Sequence, residues 1–404
     1  TLAKSMWSLG LQREAIEPQN RAVALRTEHL GREHPLTLRS LRWISDFLYA
    51  IGMYDEALVY EEELLEIRRR TLGDEHVKTL AEMNHLGNTY YRLEIFDKAV
   101  QFKLEVLEIL MRIRGEDHPE TIDAMEQLGD LYRVMNEFEK AYPYYRDALA
   151  LRQANPRDEN PDTLESIEDM GKLFLEQGRP EEAEPYITQA LDGHRKTHGN
   201  EHRKTLAAIT SMGQLLHAQG KYEEAFVHFR EVLALRRRTN GNTHPDTLGS
   251  LVTLAVYLDK SDTDEEAALE LYIEGLEGYR SIGDEDGPVT SIVLDQVTNL
   301  LIDSLKRPEE AMPYLRELVA KQQRTLGDDH PETLKTLKGM GSALYGMGKF
   351  DEASPCYAEY LERNRRLLGD EHSDTLHAIY LMARVRGKQG QFDEAEELHL
   401  ECLE

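Results

Sequence analysis

Two kinds of side chain in this sequence could do chemistry: histidines at regular intervals and carboxylates in pairs. His34, His76, His118, His202, His244, His330 and His372 recur about 42 residues apart or at multiples of that distance. Imidazole is a common metal ligand and general base. The ligands of one metal must converge to about 2 Å from it, and histidines supplied one per repeat cannot do so. They read instead as loop residues that support the start of each helix. His194, His198 and His202 fall four residues apart, but the helix is expected to end between them, so no metal is assigned. The paired carboxylates sit at exposed helix starts. No phosphate-binding P-loop occurs, and Gly339-Met340-Gly341 lies in a predicted helix with no strand before it, which excludes a dinucleotide fingerprint. There is no nucleophile elbow. The reading is a non-enzymatic chain with no cofactor.

What positions these residues is a repeat. Thr37, Thr79, Thr121, Thr163, Thr205, Thr247, Thr290, Thr333 and Thr375 follow one another at 42 residues, or 43 in two steps. In the unit from 31 to 73, Gly31-Arg32-Glu33-His34-Pro35 makes a loop, with Gly suited to ending one helix and Pro to opening the next. Leu38, Leu41, Ile44 and Leu48 then have helical spacing. Gly52 breaks that helix. A second runs from about Tyr54 to Arg70, with acids at its start and Arg68-Arg69-Arg70 at its end, matching the helix dipole. Its small residue recurs at Ala15, Ala57, Ala99, Ala141, Ala183, Ala225, Ala268, Ala311, Ala353 and Ala395, where only a small side chain lets the paired helix approach. A fixed period of this size marks a solenoid in which each unit packs on its neighbours. The predicted fold is all-α: about ten helix-turn-helix pairs in a right-handed superhelical α-solenoid, a single array over 1–404 with the first and last repeats truncated. Threonine-to-alanine spacing is 20 residues, but 21 for Thr247 to Ala268 and Thr290 to Ala311, which predicts one extra residue in each of those helix-to-helix turns.

A single core does not usually grow to 404 residues, whereas a linear array can. The formal net charge of -27 argues against nucleic acid and against an anionic membrane surface. It favours partners with basic residues, while most of the acids are read as solvating outer helix faces. Cys356 and Cys402 are the only cysteines, too few for a disulfide framework and consistent with a reducing compartment. No apolar run is long enough to span a bilayer, and the expected location is cytoplasmic. The chain opens and closes within a repeat, so a segment of a larger protein is expected.

The loops Leu72-Gly73-Asp74-Glu75-His76 and Leu326-Gly327-Asp328-Asp329-His330-Pro331, with the turns Gly220-Lys221-Tyr222-Glu223-Glu224-Ala225 and Gly348-Lys349-Phe350-Asp351-Glu352-Ala353, resemble the 42-residue tetratricopeptide repeats of kinesin light chains. Similar arrays are attached to signalling NTPases. The resemblance covers essentially the whole chain and implies protein–protein binding, usually of a peptide laid in a concave groove lined by the first helices. Kinesin light chains carry repeated asparagine pairs in those helices. Only Asn84 keeps that feature here, so their cargo specificity is not carried over.

That geometry points positions five, nine and twelve after each threonine into the groove, on one helical face. The candidate peptide-binding residues are Arg42, Asn84, Asn88, Tyr91, Glu126, Asp130, Arg133, Glu168, Lys172 and Gln214. Asn84 and Asn88, one turn apart, could hold a peptide backbone, since amides both donate and accept. Glu126 and Asp130 would take a basic side chain. The plainer alternative is a solvated face with Asp130–Arg133 and Glu168–Lys172 pairing locally. The functional reading is a scaffold or adaptor that binds a peptide or partner helix. The alternatives are a structural spacer or assembly subunit binding through its edge or ends, where self-association is possible, and the sensor array of a signalling NTPase.

Overall fold

A computed structural model describes residues 16–154 and 161–402. Among these residues there is no strand. The chain divides into two compact units, Thr1–Asn200 and Glu201–Glu404. The first holds α1 (Ile16–Leu30), α2 (Pro35–Ala50), α3 (Tyr54–Leu72), α4 (Val77–Arg92), α5 (Phe96–Arg114), α6 (Pro119–Val134), α7 (Phe138–Ala154), α8 (Pro161–Glu176) and α9 (Pro180–His198). The second holds α10 (Arg203–Ala218), α11 (Tyr222–Asn240), α12 (Pro245–Lys260), α13 (Glu265–Ser281), α14 (Pro288–Asn299), α15 (Pro308–Thr325), α16 (Pro331–Gly346), α17 (Phe350–Leu368), α18 (Ser373–Lys388) and α19 (Phe392–Glu401). Within each unit a helix packs chiefly on those before and after it in sequence, as expected of an all-α repeat fold. Ala15 lies outside the described residues.

The loop motif has a local physical logic. Gly73 takes φ 82°, a left-handed conformation that a side chain would strain. His76 then caps α4: its Nδ1 accepts the Lys78 backbone N–H at 3.1 Å. His34, His118, His202, His244, His330 and His372 do the same for the helices they precede. This satisfies one of the four N–H groups left unpaired at a helix start, and it is the support expected of these histidines. The period-marking threonines fasten the loop from the other side. The hydroxyl of Thr79 donates to the Gly73 carbonyl at 2.7 Å, and Thr37 and Thr333 reach Gly31 and Gly327 in the same way.

Apolar positions build the core. In the first unit Leu41, Ile44, Leu48, Ala57 and Leu64 are fully or almost fully buried in one cluster with Val23, Leu38 and Ile67. In the second, Phe229, Leu254, Tyr272, Leu276 and Val297 belong to one cluster, and Leu337, Tyr357 and Ile379 to another. Each such aliphatic or aromatic side chain contributes roughly 1.5–3 kcal/mol by leaving water. The repeated alanines from Ala57 to Ala353 are fully buried, as their steric role requires.

The acids do more than solvate outer faces. Arginines near the ends of the second helices pair backward to the previous loop, as in Arg70–Glu33, Arg112–Glu75 and Arg366–Asp329. Others pair forward to the next second helix, as in Arg69–Glu105 and Arg237–Glu274. These exposed pairs are individually weak, but they recur with the repeat.

The two predicted insertions resolve differently. Between α12 and α13 the extra residue lies in the turn, as the spacing predicts, with Asp262 at φ 49° and Asp264 capping the next helix through the Ala267 N–H at 3.0 Å. Between α14 and α15 the expectation is corrected. The extra residue is taken up inside the helix as a π-helical turn, Leu300–Ser304, where Leu300 and Leu301 stay buried. A π-turn lengthens the helix by one residue while keeping its apolar side toward the core.

Candidate functional site

In the first unit, hydrogen bonds join one first helix to the next. Arg42 of α2 reaches Glu82 of α4 at 2.7 Å, Arg92 of α4 reaches Tyr49 at 3.2 Å, and Arg133 of α6 reaches Glu176 of α8 at 2.5 Å. These bonds set α2 beside α4 and α6 beside α8.

Four of the candidate residues converge. Asn88, Tyr91, Asp130 and Arg133 surround a cavity of about 330 Å³ between α4 and α6, with Gly87, Lys103, Gln127, Leu131 and Val134 completing its wall. Asn88 is exposed and its amide makes no hydrogen bond among the described residues. The amide of Asn84, one turn earlier, is engaged: its Oδ1 accepts from Lys103 Nζ at 3.2 Å. The two asparagines thus differ, one open to a ligand and one holding a buried cation.

The other candidates lie outside this cavity. Arg42 donates to Asp46 at 2.8 Å, Glu61 at 3.0 Å and Glu82 at 2.7 Å, and both glutamates are buried. Glu82 also holds Arg68 at 2.7 Å, while Glu61 accepts from Ser45 and Thr89. A carboxylate buried this deeply needs its cation, because losing one partner of a buried pair costs about 3–5 kcal/mol. Arg42 therefore serves the packing of α2 on α3 and α4. Glu168 and Lys172 pair at 3.0 Å, the local pairing read as the alternative. Gln214 belongs to the second unit, half-buried on α10.

The two carboxylates expected to receive a basic ligand side chain already have partners. Arg152 forks onto Glu126 at 3.0 and 2.6 Å and is itself buried. Asp130 accepts the Tyr145 hydroxyl at 2.7 Å and Arg133 at 3.4 Å. Glu126 is closed off by this fork, whereas Asp130 stays half exposed, with only its Oδ1 engaged.

Sequence reasoning missed the residues that the second helices pack beneath the first-helix face. Four residues after each repeated alanine comes a large side chain: Glu61, Lys103 and Tyr145 in this unit, Phe229 and Tyr357 in the other. It reaches the first-helix face beneath the residue eight places after the threonine, which is often glycine. A Cβ on Gly129 would lie 2.9 Å from the Tyr145 ring, and one on Gly87 would lie 3.1 Å from Lys103 Cε. The signal was present in the sequence as glycine–partner pairs 16 residues apart: Gly87 with Lys103, Gly129 with Tyr145, Gly213 with Phe229, and Gly341 with Tyr357.

Lys103 is the unusual member. It is 6% exposed, and its ammonium donates to two neutral oxygens, Asn84 Oδ1 at 3.2 Å and Gln127 Oε1 at 2.7 Å. Burial pushes it down to about 8, since a desolvated ammonium without a counter-ion is disfavoured.

Helix pairs stacked in sequence order, with one face of each unit lined by first helices, define an α-solenoid repeat protein. The chain belongs to the tetratricopeptide repeat family, whose pattern matches residues 36–110, 79–154, 127–196, 162–238, 204–281, 299–366 and 335–404. Proteins of this family generally mediate protein–protein interaction, and the fold is typically non-enzymatic. A comparison with curated protein sequences finds no match. Among solved structures, the chain is similar to the tetratricopeptide repeat sensor protein of the signal transduction ATPase class from Pyrococcus horikoshii, at 12% identity over 90% of this chain and 52% of that one, TM-score 0.55. It is also similar to nearly identical TPR-like repeats from Podosopora anserina, at 24% identity over 51% of this chain and 98% of that one, TM-score 0.45. BtubC (BKLC) from P. vanneervenii is 18% identical over 61% of this chain and 94% of its own, TM-score 0.47. At these identities the likeness is one of fold. Among the described residues no helix is long and apolar enough to cross a membrane.

Proposed function

We propose that this chain is a protein-binding scaffold that holds an extended segment of a partner against the first-helix face of its N-terminal unit. The observation that carries this reading is the cavity between α4 and α6, on which Asn88, Tyr91, Asp130 and Arg133 converge. Its volume lies within the range of sites that bury a ligand group. The open Asn88 amide can both donate to and accept from a peptide backbone. Tyr91, half-buried at the wall, offers contact area at low entropic cost. Arg133 and Asp130, fixed by Tyr145 and Glu176, present a preorganised polar edge.

Quantitative affinity capture from source cells tests this. The native chain is compared with Asn88→Trp, which fills the cavity mouth, and with Val59→Ser, which alters an exposed outer residue. A groove binder loses its partner by tenfold or more on Asn88→Trp and keeps it on Val59→Ser. A partner list unchanged by Asn88→Trp rejects the groove and moves binding to the edges or outer face, as a spacer or assembly subunit would require.

A further inference from the structure

We propose that Asn240–Gly241, at the joint between α11 and α12, is a self-modifying site: the Gly241 backbone nitrogen attacks the Asn240 side-chain amide, and the link becomes an isoaspartate that loosens the joint. The site lies in the second unit and does not depend on groove binding.

Asn240–Gly241 is the only Asn-Gly pair in the sequence. In the other loops of this type a leucine, isoleucine, arginine or histidine precedes the glycine. A side chain on the residue after asparagine hinders the attack, and glycine has none. The reaction needs only water. As the Gly241 nitrogen bonds to Asn240 Cγ, its proton leaves with the amide nitrogen as ammonia, and a succinimide ring closes. Water then adds to a ring carbonyl, and the bond from that carbonyl to nitrogen breaks. Breaking at Cγ leaves aspartate. Breaking at the main-chain carbonyl leaves isoaspartate, whose main chain runs through Cβ.

The fold leaves this attack open. Asn240 is the exposed last residue of α11, and its amide makes no hydrogen bond among the described residues. Outside the chain neighbours of Gly241, nothing lies within 4 Å of where its Cβ would be. One bond holds the attacking nitrogen: the Gly241 N–H donates to the Arg237 carbonyl at 3.1 Å. It is the last bond of a helix end, where fraying opens the backbone at little cost. The clamp that fastens Gly31, Gly73 and Gly327 is missing here, since the Thr247 hydroxyl is buried without a hydrogen-bond partner. Thr121 and Thr375 lack theirs too, but Arg114 and Leu368 precede those glycines. The joint depends on backbone register. Gly241 turns at φ 88° toward His244, whose Nδ1 caps α12 on the Asp246 N–H at 3.2 Å. Arg236 crosses from α11 to the Asp246 carbonyl at 2.8 Å and the Ser250 hydroxyl at 2.7 Å. An isoaspartate adds a main-chain atom before this turn. Its free carboxylate also puts a negative charge at a helix C-terminus, which the dipole disfavours.

The test incubates the intact chain at neutral and at mildly alkaline pH beside a synthetic peptide of residues 234–248. Both are followed by peptide mapping with mass spectrometry and by enzymatic methylation of isoaspartate. Asn240 should convert within about tenfold of the peptide rate, since tenfold corresponds to about 1.4 kcal/mol of opening and a fraying helix end opens for less. Alkaline pH should speed the conversion, because the attacking nitrogen must shed its proton. Asn84, Asn88, Asn299 and Asn364 should stay unchanged over that time. The aged chain should lose about tenfold in hydrogen-exchange protection at the end of α11 and the start of α12. Asn240→Asp, which carries the charge without the extra main-chain atom, should lose less, and Asn240→Gln should not age. Conversion more than about a hundredfold slower than in the peptide overturns the site, as does another asparagine converting first. Isoaspartate at position 240 with unchanged exchange overturns the loosened joint.

Discussion

Lys103 shows how one residue couples stability to pH. Its ordinary value of 10.5 falls to about 8 in the folded chain. Between these values the unfolded chain binds the proton and the folded one does not, so stability rises with pH across that window. The penalty is fully present below about 8 and relieved toward 10.5. A shift of this size corresponds to about 3 kcal/mol. Urea unfolding of native chain and Lys103→Met, compared at pH 7.5 and pH 10, should show the native chain gaining on the variant as pH rises. The variant should be the more stable at pH 7.5. A constant difference between the two would mean that Lys103 is adequately solvated or paired. The residue was invisible to a reading that looked for groove residues on first helices alone. Position 103 belongs to a second helix, and only the glycine at 87 lets it through.

At the scale of the element, the helix pair was legible because its signals are local. Apolar spacing, the loop glycine, the capping histidine and the threonine that grips the loop carbonyl all act within a few residues. Two features were not local. The carboxylates Glu126 and Asp130 read as open on their own helix, but Arg152 of α7 closes over Glu126 and Tyr145 engages one oxygen of Asp130. Likewise, an inserted residue near Ser304 could enter a turn or a helix, and the burial of Leu300 and Leu301 decides for the π-turn. The glycine positions give a direct test of helix-pair closeness. Gly129→Ala would drive a methyl to 2.9–3.0 Å from the rigid Tyr145 ring, whereas Gly87→Ala meets the flexible Lys103 stem. Overpacking typically costs 1–3 kcal/mol, while alanine gains roughly 1 kcal/mol of helix propensity over glycine. Gly129→Ala should therefore destabilise the first unit by up to about 2 kcal/mol, with Gly87→Ala near neutral, as read by hydrogen exchange of α6 and α4. Equal effects would show that Tyr145 yields as readily as lysine.

At the scale of the whole chain, packing between sequence neighbours means that damage should spread by adjacency. Leu254 is 3% exposed within the cluster built around α11 to α15. Leu254→Ala should cost about 2–5 kcal/mol there. Hydrogen exchange should lose protection most in α11 to α14 and progressively less in helices further along the sequence, as nearest-neighbour coupling requires. A uniform loss over all described helices would instead show a single cooperative unit. The charge, by contrast, was only half legible. Composition gave its size, but not that arginines one repeat away turn many of the acids into recurring cross-repeat pairs.

The glycine and the side chain it admits lie 16 residues apart within one repeat, as in Gly87 with Lys103 and Gly341 with Tyr357. Duplication or exchange of a whole repeat therefore carries the glycine and the side chain packed against it together. Intact repeats could be shuffled while this packing is kept, with no compensating change needed elsewhere in the gene.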